Sequence, residues 1–452
     1  MAFQGLLSRP NLSRATDFLC QQGQDLHTCH VEIPLHMTSR ERILAAIEHR
    51  EPDRVPIDLG ATPSSGISAI AYGRLNRHLG YGQSQTQVYD VVQQLAQPED
   101  AILERFHIDA VDLGRTFNRR PEDWQTVTLF DGSTAHYPQW FRPEPLAGGG
   151  YRALAADGSE LAVQLKDMNF FDQTCFPWLD EYPADFSGLT AAMGKVHWAA
   201  LAHSPWDHAS EAGFWQQLRA NALALRDQSD RAIMVVVGCN LFEWGTFLRR
   251  MDNFLMDLIA EPESVERLLE ALMDIHLATL EKVCTAVGDV ADICRFGDDL
   301  GTDTGPFMAP ATYRRFFKAQ HTRLCDFVHR HSKMKTFLHS CGSIHALLPD
   351  LIEAGFEVVN PVQTACRDMD PARLKNEFGR DIAFWGGGAD TRATLNHGSV
   401  VEVRRDVLER LKVFSPGGGF IFNTIHNILP DVPPENIVAM FDAIEEYNSA
   451  GA

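Results

Sequence analysis

Two soft ligands, His339 and Cys341, stand two residues apart at the end of the run Lys335-Thr336-Phe337-Leu338 and are followed by Gly342. If that run is a buried strand, alternation turns both side chains to one face at the rim where the strand stops. An imidazole and a thiolate suit Zn²⁺, which takes three or four protein ligands, so another part of the chain must supply at least one more. Plain packing at a strand end is the competing reading of the pair. A second group is Asp298-Asp299 within Gly297-Asp298-Asp299-Leu300-Gly301. Adjacent carboxylates raise one another's pKa, as a general acid requires, or else serve as loop carboxylates held by backbone amides. Gly386-Gly387-Gly388 allows a close backbone approach, as an anion nest or as a tight turn. Trp244, Phe296 and Trp385 wall an apolar pocket or belong to the core.

These groups need a frame, and the apolar runs supply one. A capping box, Thr38-Ser39-Arg40-Glu41, opens a helix with apolar positions at Ile43, Leu44 and Ile47. Strands are expected at 54–60, 107–114, 232–238, 290–296, 335–339, 356–360, 382–386 and 420–424. Helical patterns lie between them, around 88–106, at 184–226 with a break at Pro205, at 253–287, 310–331, 343–354, 371–378 and 399–413. Between about 125 and 170 the pattern shortens to alternating runs around Asp131-Gly132 and Asp157-Gly158, both hairpin signals. The expected fold is therefore α/β: a (β/α)₈ TIM barrel spanning 37–452, with an antiparallel insertion at about 115–183 between strands 2 and 3. Residues 1–36 read as an irregular N-terminal extension without the basic start and apolar core of a signal peptide. In such a barrel the strand ends form one rim, which would gather Asp58, Asp112, Glu243, Asp298, Asp299, His339, Cys341, Asn360, Gln363, Asp390, His426 and Asn427.

Composition narrows the function classes. Of 452 residues, 45% are hydrophobic and 22% charged, which suits a globular enzyme with a full core. A net charge of -20, from 60 acidic against 40 basic residues, disfavours nucleic acid and anionic membrane surfaces as partners. Nine scattered cysteines without a CxxC pair point to a reduced, cytoplasmic chain. Neither a P-loop nor a dinucleotide fingerprint is present.

From about Met37 to Tyr447 the chain resembles the uroporphyrinogen decarboxylase superfamily. The resemblance rests on Arg40-Glu41-Arg42, Glu51-Pro52-Asp53-Arg54-Val55-Pro56, the Gly297 to Gly301 loop, His339-Ser340-Cys341-Gly342 and Pro433-Pro434-Glu435-Asn436-Ile437. It is closer to the zinc methyltransferases that work with corrinoid proteins than to the heme-pathway decarboxylases. Those decarboxylases carry an arginine-bearing segment after the first strand, where this chain reads Asp58-Leu59-Gly60-Ala61-Thr62-Pro63. A polycarboxylate substrate needs cations, and this rim is mostly acidic. The methyltransferases complete their zinc site with a Cys shortly before a Pro-x-x-Asn element. Here that place holds His426, so the resemblance implies His339, Cys341 and His426 as ligands and a metal made more electron-poor by the second imidazole. It further implies Glu243 as a fourth or exchangeable ligand.

The expected activity is that of a zinc-dependent methyltransferase, moving a methyl group between a small methylated compound, ether-type or thiol, and a corrinoid protein. An electron-poor metal favours an oxygen leaving group, hence an ether donor. Glu243, Asp298 and Asp299 are expected to be catalytic, and Asp58, Trp244, Asn360, Gln363, Trp385 and Asn427 to bind substrate. These 452 residues contain no Asp-x-His-x-x-Gly segment, so the corrinoid would arrive on a partner or free. Two other classes stay open: a decarboxylase that works without metal and relies on Arg249, Arg250 or Arg295, and a non-catalytic module that docks a corrinoid protein. A homodimer is compatible with each.

Overall fold

A computed structural model describes residues 36–82 and 85–450. The expected extension at 1–36 lies, apart from His36, outside the described residues. From Met37 onward the chain forms one compact unit.

Seven short apolar runs pair into one parallel sheet. In chain order they are β1 (Ala110–Asp112), β2 (Ala232–Gly238), β3 (Ile293–Gly297), β4 (Lys335–His339), β5 (Val358–Asn360), β6 (Ala383–Trp385) and β7 (Phe420–Ile421), and each neighbours the next. Helices between them, among them α2 (Phe242–Arg249), α3 (Pro262–Val287) and α4 (Lys318–His331), bury apolar faces such as Leu268, Leu272 and Leu280 on α3. The result is a curled, barrel-like α/β wall. The expected first strand at 54–60 survives as a single parallel bridge, Ile57 to Phe422. That stretch nonetheless bonds to both edges of the sheet: Asp58 N–H donates to Phe422 O (2.9 Å), and Asp109 N–H to Ile57 O (2.8 Å).

Alternation divides the wall into two faces. Ala110, Met234, Ile293, Phe337, Val358, Trp385 and Ile421 pack together on the inside, and Ile43, Ala46 and Ile47 of the first helix, α1 (Ser39–Ile47), join that inner cluster. The α1 capping box forms as the sequence predicts, with Thr38 and Glu41 bonding reciprocally. Ion pairs hold α1 to the strand starts: Arg42 reaches Asp53 (2.6 Å) and Asp109 (2.7 Å), and Arg54 also reaches Asp109 (2.7 Å). The Arg-Glu-Arg and Pro-Asp-Arg motifs are thus fastenings of the closed end.

Between β1 and β2 the chain makes antiparallel structure. Trp124–Thr128 pairs with Thr134–Pro138 and Gly150–Leu154 with Glu160–Leu165, the turns carrying Gly132 (φ 82°) and Gly158 (φ 83°).

Three helical expectations need correction. Within 88–106 only Asp100–Arg105 is helical, while Val88–Asp90 and Leu95–Ala96 pair as antiparallel strands. The β-branched and aromatic residues Val88, Tyr89, Val91 and Val92 favour the extended state over the apparent helical spacing. The 253–287 pattern is two helices, Met251–Ala260 and α3, because Pro262 can only open a helix. The 310–331 pattern likewise divides, into Pro310–Phe316 and α4.

Candidate metal and substrate site at the barrel mouth

Continuing the inward parity past the core layer dictates which residues meet at the open end. Beyond Ala110 comes Asp112, beyond Ile293 comes Arg295, beyond Phe337 comes His339, beyond Val358 comes Asn360, and beyond Ile421 comes Asn423. The sheet register sets His339 beside Gly297 on one side and Asn360 on the other.

Asn360 fixes the state of the His339 ring. Its Nδ2 donates to Trp385 O (2.8 Å), which makes Oδ1 the acceptor; Oδ1 receives Ser64 Oγ (2.6 Å) and His339 Nδ1 (2.7 Å). The Nδ1 must therefore carry the proton, leaving Nε2 a lone pair facing the mouth. Cys341 Sγ lies 3.4 Å from that Nε2, and the His426 ring crosses the His339 ring at a centroid distance of 5.8 Å. One donor atom each from His339, Cys341 and His426 lies within 4.8 Å of the others. Burial holds both imidazoles below the usual histidine range, His339 to about 3, so both are neutral and fit to ligate. Burial, with Asp299 and Glu243 nearby, holds the Cys341 thiol well above the usual range.

Cys341 owes its place to two interlocking glycines. Gly301 N–H donates to Cys341 O (3.1 Å), and a Cβ on Gly342 (φ 87°) would stand 2.3 Å from the Gly301 carbonyl carbon. No side chain fits there, so the Gly-Asp-Asp-Leu-Gly loop and the His-Ser-Cys-Gly turn set each other's course.

The acid pair separates by parity. Asp298 points away from the mouth: its Oδ2 accepts Phe242 N–H (3.0 Å), its Oδ1 accepts Glu243 N–H (2.9 Å), and His321 Nε2 stands 3.3 Å from Oδ2. It is fully buried and holds the start of α2. Asp299 faces the site, its Oδ1 accepting Cys341 N–H (2.8 Å) and lying 3.4 Å from His339 Nε2. The carboxylate nearest that imidazole is thus Asp299. Glu243 stands one step behind it, with Oε2 accepting Asp299 N–H (3.0 Å), and burial together with Asp299 and Asp298 pushes its carboxyl well above the usual range.

The expected substrate residues divide as well. Asp58 and Trp385 bond to each other (Oδ2 to Nε1, 2.8 Å) inside the barrel, where Trp385 has no exposed surface, so neither walls a pocket. Burial raises the Asp58 carboxyl to about 6. Trp244 packs against Phe247 within the outer core. Gln363 Oε1 accepts Gly342 N–H (2.6 Å), and Asn360 bonds to His339, so both brace the His339–Gly342 turn rather than face an open pocket. Asn427 gives its Nδ2 to Gln93 Oε1 (3.1 Å) and leaves its buried Oδ1 unpartnered. In the Gly386-Gly387-Gly388 turn the first and third amides pair with Ile421 O and Asn423 O, which makes it a close strand contact.

Three groups at this end had no role in the expected methyltransferase site. Tyr89 Oη, Asp112 Oδ1 and Arg295 Nε are shut off from solvent and have no hydrogen-bond partner. A periodicity that marked 88–106 as helical hid Tyr89. Asp112 was legible only as one rim residue and Arg295 only as one of three arginines near the rim. Of those three, Arg249 pairs with Asp257 (2.8 Å) and Arg250 with Asp252 (2.6 Å), both away from the site.

Residues 240–447 match the uroporphyrinogen decarboxylase (URO-D) family. Methylcobamide:CoM methyltransferase MtaA of Methanosarcina barkeri is 27% identical over 185 residues, 40% of this chain and 49% of the relative. Uroporphyrinogen decarboxylase of Magnetococcus marinus is 25% identical over 190 residues, 41% of this chain and 49% of the relative. The chain spans about half the length of these curated relatives. A solved methyltransferase from Methanosarcina mazei is 18% identical, covers 91% of this chain and 99% of its own, and superposes with a TM-score of 0.54, a likeness of fold. No helix among the described residues is long and apolar enough to cross a membrane.

Proposed function

On the premise that residues 240–447 are a URO-D family domain, related to both methyltransferases and decarboxylases, we propose that this protein is a zinc-dependent methyltransferase. It moves a methyl group between a small ether-type or thiol compound and a corrinoid that arrives on a partner protein or free. The reading takes the mouth as that of a complete (β/α)₈ barrel, with 54–60 as its first stave and about 115–183 as an insertion. The observation that carries it is the convergence of His339, Cys341 and His426.

The donor set fits the metal. Two neutral imidazole nitrogens and a sulfur make a normal zinc triad; the 3.4 Å between Nε2 and Sγ suits two ligands of one tetrahedral ion, and the three donors, within 4.8 Å of one another, would have to draw together around it. The Asn360 bond to Nδ1 is the outer support that such a histidine needs. When bound there, zinc supplies Lewis acidity to the heteroatom that carries or receives the methyl.

This chain's own residues would do the rest. Demethylation breaks the bond between carbon and oxygen, passes the methyl to the nucleophilic corrinoid and leaves the electron pair on oxygen, which then needs a proton. Glu243, held protonated by burial and by its acidic neighbours, is suited to hold that proton. Asp299 orients the Cys341 turn through its amide, and Asp298 anchors the segment that presents Glu243. The first test combines elemental analysis with methyl transfer to a reduced corrinoid protein from methoxylated compounds and from thiols. One zinc per chain, lost in Cys341→Ser together with ether demethylation, is expected. A metal-free protein or activity confined to thiols would overturn the zinc or the ether reading respectively.

A second reading is decarboxylation. It is favoured by the uroporphyrinogen decarboxylase among the relatives described above. Of the three arginines expected near the rim, Arg249 and Arg250 are paired elsewhere, which leaves Arg295 to meet a carboxylate. Decarboxylation that survives chelation would select this reading.

A further inference from the structure

Arg295 is the exception among the inner arginines. Arg42 is matched by Asp53 and Asp109, Arg226 by Asp292, Arg249 by Asp257, and Arg410 by Asp406. Arg295 makes no hydrogen bond or ion pair among the described residues, and its Nε is closed off from solvent. A guanidinium nitrogen shut off from water without a partner is rare, because a polar group taken out of water needs an acceptor to hold it there.

Its position is built. Arg295 shares the inward parity of Ile293, and a Cβ on Gly297 would lie 2.8 Å from its Nη1. The missing side chain at Gly297 therefore gives the guanidinium its route along β3 towards the layer of His339, the residue paired with Gly297 in β4. The groups that act on it electrostatically are Glu243, Asp299, Cys341 and Tyr89, and it acts in turn on His339 and His426. Tyr89 Oη, the second donor without a partner, is among the groups that act on Arg295 electrostatically; the cleft of about 440 Å³ that Tyr89 helps to line is a separate one, which Arg295 does not border.

We infer that Arg295, assisted by the Tyr89 hydroxyl, binds a single oxyanion substituent of the substrate, so that the methylated compound is a small monoanion of carboxylate type. The inference rests on the proposed reading of this mouth as the substrate site. An unpaired Nε–H next to an Nη–H forms a side-on fork, which matches the two oxygens of a carboxylate. A sulfonate offers the same pair of oxygens. One fork serves one oxyanion, which distinguishes the expected ligand from a polycarboxylate.

The test is direct binding, by calorimetric titration of the full chain with 4-methoxybenzoate, 4-methoxybenzenesulfonate and the uncharged 4-methoxybenzamide, in zinc-loaded and in chelated protein. Wild type should bind an oxyanion probe at least about 10-fold tighter than the amide. Arg295→Gln should remove that preference, weakening the oxyanion by about 10-fold or more while leaving the amide unchanged; Arg295→Lys should fall between, and Tyr89→Phe should lose less. The preferred probe should also raise the melting temperature of wild type and not of Arg295→Gln, a readout independent of turnover. Which oxyanion binds tighter separates carboxylate from sulfonate. Equal affinity for charged and uncharged probes, binding unaffected by Arg295→Gln, or no binding by any probe would overturn the inference. Oxyanion binding without methyl transfer would sink only the functional reading, and transfer from neutral ethers that ignores Arg295→Gln would sink only this one.

Discussion

Two stretches face each other across the barrel mouth and obey different rules. From Ala232 to Ile421 each inward polar group on the wall except Arg295 has its partner: His339 has Asn360, and Asn360 has Ser64 and Trp385. The loops on that side are wired in the same manner, Asp299 to the Cys341 amide and Gln363 to the Gly342 amide. From Val55 to Arg231 the strand pairing is mostly antiparallel, and Tyr89 Oη and Asp112 Oδ1 are buried without partners. On the proposed zinc and substrate reading of this mouth, the difference is a division of labour. Groups that hold a metal must be positioned before it arrives, so their hydrogen bonds are spent within the protein. Groups that hold a substrate must be unspent until it arrives, at a cost in stability while they wait.

The comparison is broken most severely at Asp298. Replacing it by Ala strips acceptors from the Phe242 and Glu243 amides and the partner from His321, all in the core. A loss of about 3–5 kcal/mol is expected in denaturant unfolding, since each buried group left without its partner costs about 1–3 kcal/mol. A loss below about 1 kcal/mol would mean that the well-wired side is no more committed than its opposite.

Asp112 should respond in the reverse sense. Burial raises its carboxyl from 3.8 to about 6. Between those pH values the unfolded chain has released the proton and the folded one keeps it, so stability falls as pH rises through the interval. Asp112→Asn carries no such penalty. It should be more stable than wild type at pH 7 by up to about 3 kcal/mol, and the gain should vanish by about pH 4. A gain independent of pH would assign the effect to packing, and a loss would show Asp112 to be satisfied.

The well-wired side was also the legible one. Runs such as Ala232–Gly238 and Lys335–His339 announce buried strands by composition, and once a strand is recognised its parity turns His339 and Cys341 together. The capping box at Thr38 and the turns at Gly132 and Gly158 were readable because their chemistry is local. Tyr89 was not, since its strand exists only through pairing with Leu95–Ala96, which pairs on its other side with Ile67–Ser68. Nor was the fate of Trp385, which depends on Asp58, 327 residues away in the chain. The opposite duties of Asp298 and Asp299 needed the point where β3 ends, and the freedom of Arg295 needed to be seen against every other arginine.

Asn360 offers the finest test, because it separates holding a ligand from holding the fold. Its Oδ1 keeps the proton on His339 Nδ1 and so keeps Nε2 available. Asn360→Ala should weaken zinc by about 10–100-fold in competition with a chromophoric chelator, with all three ligands still present. It also removes the donor to Trp385 O and leaves a cavity, so weaker zinc alone would not identify the cause. Asn360→Asp resolves this. It keeps an acceptor at Nδ1, now charged, while losing the donor to Trp385 O just as Ala does. If the bond to His339 is what matters, the Asp variant should bind zinc at least as tightly as wild type despite a lower melting temperature. If both variants lose zinc in proportion to their loss of stability, the site is only as well formed as the barrel around it, and the contrast between the two sides of the mouth is one of packing rather than wiring.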